Sequence, residues 1–295
     1  MDFFKYFSIT NILVVLILVI IVVILIFYSY PIFLAEGLRF FFTSTWDPMR
    51  DNYGILFAIG GTLVTSFITV IIVLVTSISA AVFMIEITPY RFRPFLEAFI
   101  DLAATIPSVI YGLWGVFVLA PFLRDYIMRP LLETFPWLAE FTGRYVGSGT
   151  SIFTASILLA IMTHPFATSV IKESLKSIPQ SIIEALYSLG LTRWEIIKHK
   201  ILMIRFSIIA GILLALGRAM GETVAVAMVV GNVVNPYFYK IFTPGYTISS
   251  LIANQFLSAA GLAVSALYGA SLFILLVGFV INILVMIYMK RSRVK

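Results

Sequence analysis

The sequence predicts an all-α membrane protein with six transmembrane helices and both termini in the cytoplasm, and three observations carry that prediction. Of 295 residues, 61% are hydrophobic and only 12% charged, whereas a soluble domain has about 25% charged residues. The mean hydropathy is +1.06. The apolar residues also come in continuous runs rather than in alternation. In lipid every backbone N–H and C=O must be paired internally, and continuous runs select helices over a closed barrel as the way to do so. Cysteine is absent, which excludes disulfides, thiol catalysis and cysteine metal sites. The formal net charge is +6, but the basic residues gather at span ends rather than along a polar face interleaved with aromatics. They read as topology signals, not as a nucleic-acid surface.

At about 20 apolar residues per crossing, the spans are expected near 9–30, 55–85, 95–123, 152–171, 204–230 and 261–289. The first holds residues 12–27 without a polar side chain. It is longer than a signal-peptide core and no small-x-small cleavage site follows it, so it is expected to be retained. With both ends inside, thirteen Lys and Arg fall on the cytoplasmic side and six outside, and Arg218 lies within a span. That bias sets the orientation. The outer segment 124–149 contains Pro130, Pro136 and Trp137 and is expected to pack as a small cap.

The inner segment 172–200 is long and rich in helix formers. Ser181 and Glu184 have the spacing of a capping box, and Ile182, Ile183, Leu186 and Leu189 follow as an apolar stripe. Gly190 breaks that helix, and Thr192 to Glu195 starts another. Two readings fit a short amphipathic pair of this kind: a helix resting on lipid headgroups, or a docking element for a groove on a cytoplasmic partner.

Gly217-Arg218-Ala219-Met220-Gly221-Glu222-Thr223 interrupts the fifth span. An arginine near mid-bilayer costs about 2.5–3.5 kcal/mol on insertion scales, and the topology does not need it there. Glu222, four residues on, would share its helical face, while Gly217 and Gly221 would admit a neighbouring helix. The pair is either a buried ion pair that locks packing, or a donor fork offered to a passing oxyanion and held in place by the glutamate. Such a glutamate would accept a hydrogen bond from protonated phosphate and repel sulfate.

Pro107, inside the third span, removes a helix hydrogen bond and is expected to kink it. The kink either exposes carbonyls to a pathway or is static support filled by packing. His164 is expected to be a packing histidine, because no second ligand stands at metal-like spacing. Glu86, Glu97 and Asp101 are expected to be solvated or paired with Arg91 and Arg93. No catalytic or metal constellation is found, and the absence of a Gly-x-x-x-x-Gly-Lys-Ser/Thr loop argues against ATP binding by this chain.

Residues 184–190, Glu-Ala-Leu-Tyr-Ser-Leu-Gly, resemble the EAA loop of ABC-importer permeases. Glu184, Ala185, Gly190 and Leu202 match that pattern, while Leu186, Lys200 and Met203 stand in place of its Ala, Ile and Pro. Residues 217–223 resemble the signature of the Pst phosphate-import permeases. Sulfate and molybdate permeases share the Arg-Ala-x-Gly-Glu core but usually continue Phe-Gly, where this chain has Thr223-Val224-Ala225. Residues 104–115, Ala-Thr-Ile-Pro-Ser-Val-Ile-Tyr-Gly-Leu-Trp-Gly, together with Thr45-Trp46-Asp47-Pro48 and Tyr53-Gly54, are similar to the PstC type of subunit.

The resemblance implies a type I ABC-importer permease fold and a multi-pass protein of the cytoplasmic membrane that moves inorganic phosphate. Residues 1–53 would form the first helix and outer loop. Residues 54–290 would form a five-helix core with coupling helices at about 180–199, and 291–295 a basic tail. It further implies a second permease (PstA-like), two ATPases (PstB-like) that use ATP and Mg, and a phosphate-binding protein (PstS-like). In that assembly Glu184, Ala185 and Gly190 would dock the ATPase, Arg218 and Glu222 would line the pathway, and Pro107, Gly217 and Gly221 would support it. The alternatives are a permease for another oxyanion and, in a different class, a standalone channel or carrier, which needs no docking loop.

Overall fold

The computed structural model describes residues 2–292, with side-chain detail for residues 12–283, 286 and 287. Of the expected basic tail 291–295, residues 293–295 lie outside the described residues. Helix α1 (Asp2–Ala35) leads into a two-stranded hairpin, β1 (Trp46–Asp47) and β2 (Asn52–Tyr53). The hairpin pairs antiparallel with Trp46 opposite Tyr53, and their rings meet edge to face at 5.0 Å. Helix α2 (Leu56–Val82) follows and ends in a wider π-helical turn, Phe83–Ile87. After a short helix α3 (Arg93–Thr105) comes a longer one, α4 (Ser108–Thr134), long and apolar enough to span a membrane.

The second half contains α5 (Ile152–Lys176), then α6 (Gln180–Ser188) and α7 (Arg193–Met203). Next come α8 (Arg205–Gly221), α9 (Val224–Val229), α10 (Ile248–Gln255) and α11 (Leu262–Ser292). Five helices are long and apolar enough to cross a membrane, and α7 with α8, bent by 63° at Ile204, makes a sixth candidate. The all-α class and the six spans agree with the sequence reading. Two boundaries do not. The fifth candidate span is Arg193–Gly221 rather than 204–230, because α8 stops at Gly221. The third span is Ser108–Thr134 rather than 95–123, because Pro107, at φ −58° and ψ 139°, ends one helix and caps the next instead of kinking a continuous one. Residues 124–134 therefore continue that helix, and only the remainder of the expected outer cap forms a separate piece, with a short helix at Leu138–Thr142.

Three apolar clusters hold the bundle together. Ile32 and Phe40 pack with Tyr53, Tyr246 and Leu267, which joins α1 to α11. Leu158, Val226 and Val229 with Leu119 join α5 to α9 and α4. Val73, Val82, Ile171, Ile197 and Ile208 join α2, α5, α7 and α8 near the end that the charge bias places in the cytoplasm, called the inner end below. With lipid as solvent, close approach and hydroxyl bonds do much of this work. The Thr69 hydroxyl donates to the Ser156 carbonyl at 3.0 Å and the Ser77 hydroxyl to the His164 carbonyl at 3.4 Å, both tying α2 to α5. His164 faces the Thr168 hydroxyl at 3.4 Å, as expected of a packing histidine.

Candidate anion pathway and inner docking surface

The fifth span is broken at the residues singled out in the sequence. Helix α8 stops at Gly221, Glu222 is extended (φ −69°, ψ 124°), and α9 restarts at Val224. Backbone groups at such a break need partners, and they find them. The Ser249 hydroxyl, in the first turn of α10, donates to the Met220 carbonyl at 2.9 Å. The Glu222 carboxylate, one residue before the N-cap Thr223, accepts the Ala225 N–H at 3.4 Å. Helix α10 is itself anchored by Ile248 N–H donating to the Thr62 hydroxyl of α2 at 2.9 Å.

The break corrects the expected pair. Because Glu222 leaves the helix, it does not lie one turn above Arg218 on a common face, and no salt bridge joins them. Among the described residues Arg218 has no carboxylate within ion-pair distance. Its guanidinium instead stacks over the Phe166 ring of α5, 4.2 Å from the centroid. A stacked guanidinium keeps its N–H donors free in the plane.

Thirteen residues into α8, Arg218 lies roughly 20 Å from that helix's inner end at 1.5 Å per residue. It is exposed, as are Leu214, Gly217 and Gly221, which together form one face of α8. A Cβ built on Gly217 or Gly221 would meet nothing within 4 Å. Among the described residues no helix comes that close to these glycines, because their face is turned out of the bundle.

The structure adds residues that the sequence reading passed over. A Cβ on Gly112 would overlap the Met228 sulfur and come within 3.1 Å of the Ala225 Cα, and one on Gly115 would lie 2.7 Å from Val229. These two glycines of the Tyr-Gly-Leu-Trp-Gly stretch are what let the short α9 lie against α4. Pro107 supports the same contact by starting α4 there. The Tyr111 hydroxyl donates back across the break to the Ala103 carbonyl at 3.0 Å, so that end of α3 is partly satisfied and is not an open row of carbonyls. The signal that could have found this is the Gly-x-x-Gly spacing next to a helix start.

At the inner end, α6 has no fully buried residue. Glu184, Ala185 and Gly190 are exposed, as are Tyr187 and Leu189. Gly190 ends the element at φ +78°, a conformation that favours glycine. The expected Ser181–Glu184 capping box does not form, because Pro179 (φ −59°, ψ 136°) takes the N-cap position and leaves Ser181 inside the first turn. A capping arrangement appears instead at α7, where the Glu195 carboxylate accepts the Thr192 N–H and hydroxyl, both at 2.7 Å.

The inner acidic residues also have partners other than those expected. Lys176 of α5 donates to Glu97 at 2.8–2.9 Å, and Lys172, almost fully buried, has Glu97, Asp101 and Glu173 at 3.6–3.9 Å. The hydrogen bond from Lys176, reinforced by the charge of Lys172 and opposed by partial burial, holds the Glu97 carboxyl below its ordinary range. Glu86 pairs with Lys200 at 2.9 Å. Arg93 donates to the Thr88 carbonyl, and neither it nor Arg91 meets a carboxylate among the described residues.

With this geometry in hand, the relatives are informative. Residues 88–294 match the family described as "Binding-protein-dependent transport system inner membrane component". The "Probable phosphate transport system permease protein PstC" of Methanocaldococcus jannaschii is 42% identical, covering 99% of this chain and 95% of that protein. The "Phosphate transport system permease protein PstC" of Pasteurella multocida is 37% identical over 87% of this chain and 81% of its own length. Among solved structures, the MetNI methionine ABC transporter in an inward-facing conformation superposes with a TM-score of 0.59 at 14% identity, covering 84% of this chain and 99% of that one. A bacterial ABC transporter that imports alginate superposes over the whole of both chains with a TM-score of 0.55 at 20% identity. At those identities the likeness is one of fold, that of a type I ABC-importer permease. The chain belongs to the family of binding-protein-dependent transport system inner membrane components and, within it, to the PstC group of permeases.

Proposed function

We propose that the chain is the permease subunit that carries inorganic phosphate across the cytoplasmic membrane in an ATP-driven importer, with Arg218 on the pathway. The observation that carries the pathway assignment is an arginine well along a span, on an open face, with no carboxylate partner among the described residues. Inserting that charge costs about 2.5–3.5 kcal/mol, and stacking on Phe166 returns at most about 2. The remainder is supplied by water or an anion in a cavity that this chain lines only on one side. A broken helix at such depth suits the role, since transporter sites are often built where helices are discontinuous.

The open face of Leu214, Gly217, Arg218 and Gly221 is then the side turned to the second, PstA-like permease. Helix α6 rests on one of two PstB-like ATPases, which bind the ATP and Mg, and a PstS-like protein delivers phosphate outside. The termini are cytoplasmic, as the thirteen-to-six basic bias favours. ATP-driven closure pushes on Glu184, Ala185 and the rest of α6 and rocks the spans. Meanwhile Arg218 offers its planar donors to the anion, and Glu222 accepts a hydrogen bond from protonated phosphate.

The test is ATP hydrolysis and uptake by the assembled complex in proteoliposomes. Phosphate should stimulate hydrolysis and be accumulated, and sulfate should do neither. Equal stimulation by sulfate would overturn the substrate assignment. Glu222→Gln should narrow the preference for phosphate over sulfate, and an unchanged preference would remove Glu222 from selectivity.

A further inference from the structure

Among the described residues, the ion pair with both side chains most buried is absent from the pathway and from the docking surface. Lys200, on α7, and Glu86, on the π-helical turn that ends α2, have side chains only 9% and 13% exposed, with Nζ 2.9 Å from Oε1. Lys200 stands where the EAA-loop pattern has isoleucine, so an apolar residue would serve for packing alone. A buried pair is seldom more stabilising than apolar groups of the same shape, and the charge calls for another explanation.

Glu86 is held a second time by the same helix. The Arg193 guanidinium, seven residues before Lys200 and therefore on the same face of α7, donates to the Glu86 backbone carbonyl. Between these two grips, Ile197 packs in the cluster that contains Val82 and Ile85. The wide turn Phe83–Ile87 is closed by the Thr88 hydroxyl and N–H on the Phe83 carbonyl, each at 2.9 Å. Turns of this kind insert one extra residue and re-aim side chains, and they occur often at functional sites. On the other side of α7 lies Gly190 at φ +78° with nothing within 4 Å of its Cβ position, and then α6 with no buried residue. Helix α6 is thus joined to α7 through a tight left-handed turn at Gly190, and α7 is clamped to the end of α2.

We propose that Glu86 is the positioning residue that makes α7 and the inner end of α2 one mechanical body, so that a push on α6 moves two spans together. One is α8, reached through the 63° bend at Ile204 and carrying Arg218, and the other is α2, reached through Glu86. This rests on the ATP-driven reading above, and its test separates the two.

In the assembled complex, Glu86→Gln and Lys200→Gln are expected to lower phosphate uptake at least tenfold while ATP hydrolysis stays within about twofold of wild type. The reversal Glu86→Lys with Lys200→Glu is expected to recover a large part of the uptake. The chain has no cysteine, so Glu86→Cys with Lys200→Cys in a cysteine-free complex can be bridged by a short bifunctional thiosulfonate. Uptake should be low before bridging and return after it.

Spin labels at Trp194→Cys on α7 and Tyr90→Cys beyond the π-helical turn, both exposed positions, report on the strut whatever the cargo. Their separation should be the same with and without trapped ATP, and it should broaden in Glu86→Gln. Uptake and hydrolysis falling together in proportion to assembled complex would overturn the proposal, as would bridging that blocks uptake or a label distance that changes with ATP in the unmodified pair. A complex with a constant label distance but no phosphate transport would instead refute the cargo assignment and leave the strut standing.

Discussion

The middle and the inner end of this molecule treat charge in opposite ways. At the inner end Lys172, Lys176 and Lys200 are all matched to carboxylates on other helices. In the middle, Arg218 is left on an aromatic ring while Glu222, four residues away in sequence, meets a backbone amide through one carboxylate oxygen and, among the described residues, no cation. A matched buried charge fixes where helices sit, and breaking one is costly. An unmatched one keeps donors available to something that arrives from outside the chain. The contrast separates parts that position from a part that can receive a ligand.

Several substitutions would break or sharpen that contrast. The largest effect is expected from Gly112→Leu, because the side chain has no room beside Met228 and Ala225. Overpacking of this kind costs about 1–3 kcal/mol, and it falls on the contact that holds α9. Uptake should be abolished and the thermal midpoint in detergent lowered, and a normal midpoint would show that α9 is not held there. Phe166→Leu should come next. It removes a stacking interaction of about 0.5–2 kcal/mol, which converts to roughly 2- to 30-fold in uptake, with assembly unchanged. An effect on assembly instead would place Phe166 with the structural charges.

Ser249→Ala should cost on the order of 1 kcal/mol, the loss of one hydrogen bond to an end-of-helix carbonyl, read as a modest fall in the thermal midpoint. The smallest effect is expected from Glu97→Gln at neutral pH, because Asp101 and Glu173 still face Lys172, and Glu173 still faces Lys176. The sign of its pH dependence is definite. The folded-state carboxyl lies below its ordinary value, so the stability it contributes is complete above an ordinary Glu value of about 4.3. That contribution is lost as pH falls through the lower folded value. The wild type should therefore lose more stability on acidification to pH 3 than Glu97→Gln does, and equal slopes would remove Glu97 from the network's energetics.

What was legible in the sequence follows the range of the forces involved. Spans one, two, four and six announce themselves as long apolar runs, and the charged residues of 217–223 stand out against theirs. The break between α8 and α9 was not legible. Nothing within the run forbids a continuous helix through Glu222. What captures the freed Met220 carbonyl is Ser249, and what seats α9 is a pair of glycines more than a hundred residues upstream. The same limit misled the pairing of Glu86 and Glu97. Arg91 and Arg93 are nearest along the chain, but the lysines that meet the carboxylates are on α5 and α7. Ser181 and Thr192 both begin a Ser/Thr-x-x-Glu pattern, and the choice between them was made by Pro179, whose fixed φ starts α6 two residues early.

The measurement that bears most directly on the central claim is phosphate uptake by Arg218→Gln in the assembled complex, with partner ATP hydrolysis followed in the same vesicles. Loss of a charge-assisted interaction of about 1.5–3 kcal/mol predicts that uptake falls by roughly 10- to 150-fold while the complex assembles in normal amount. Uptake at the wild-type rate would contradict the assignment of Arg218 to the pathway and leave it as a packing residue on Phe166.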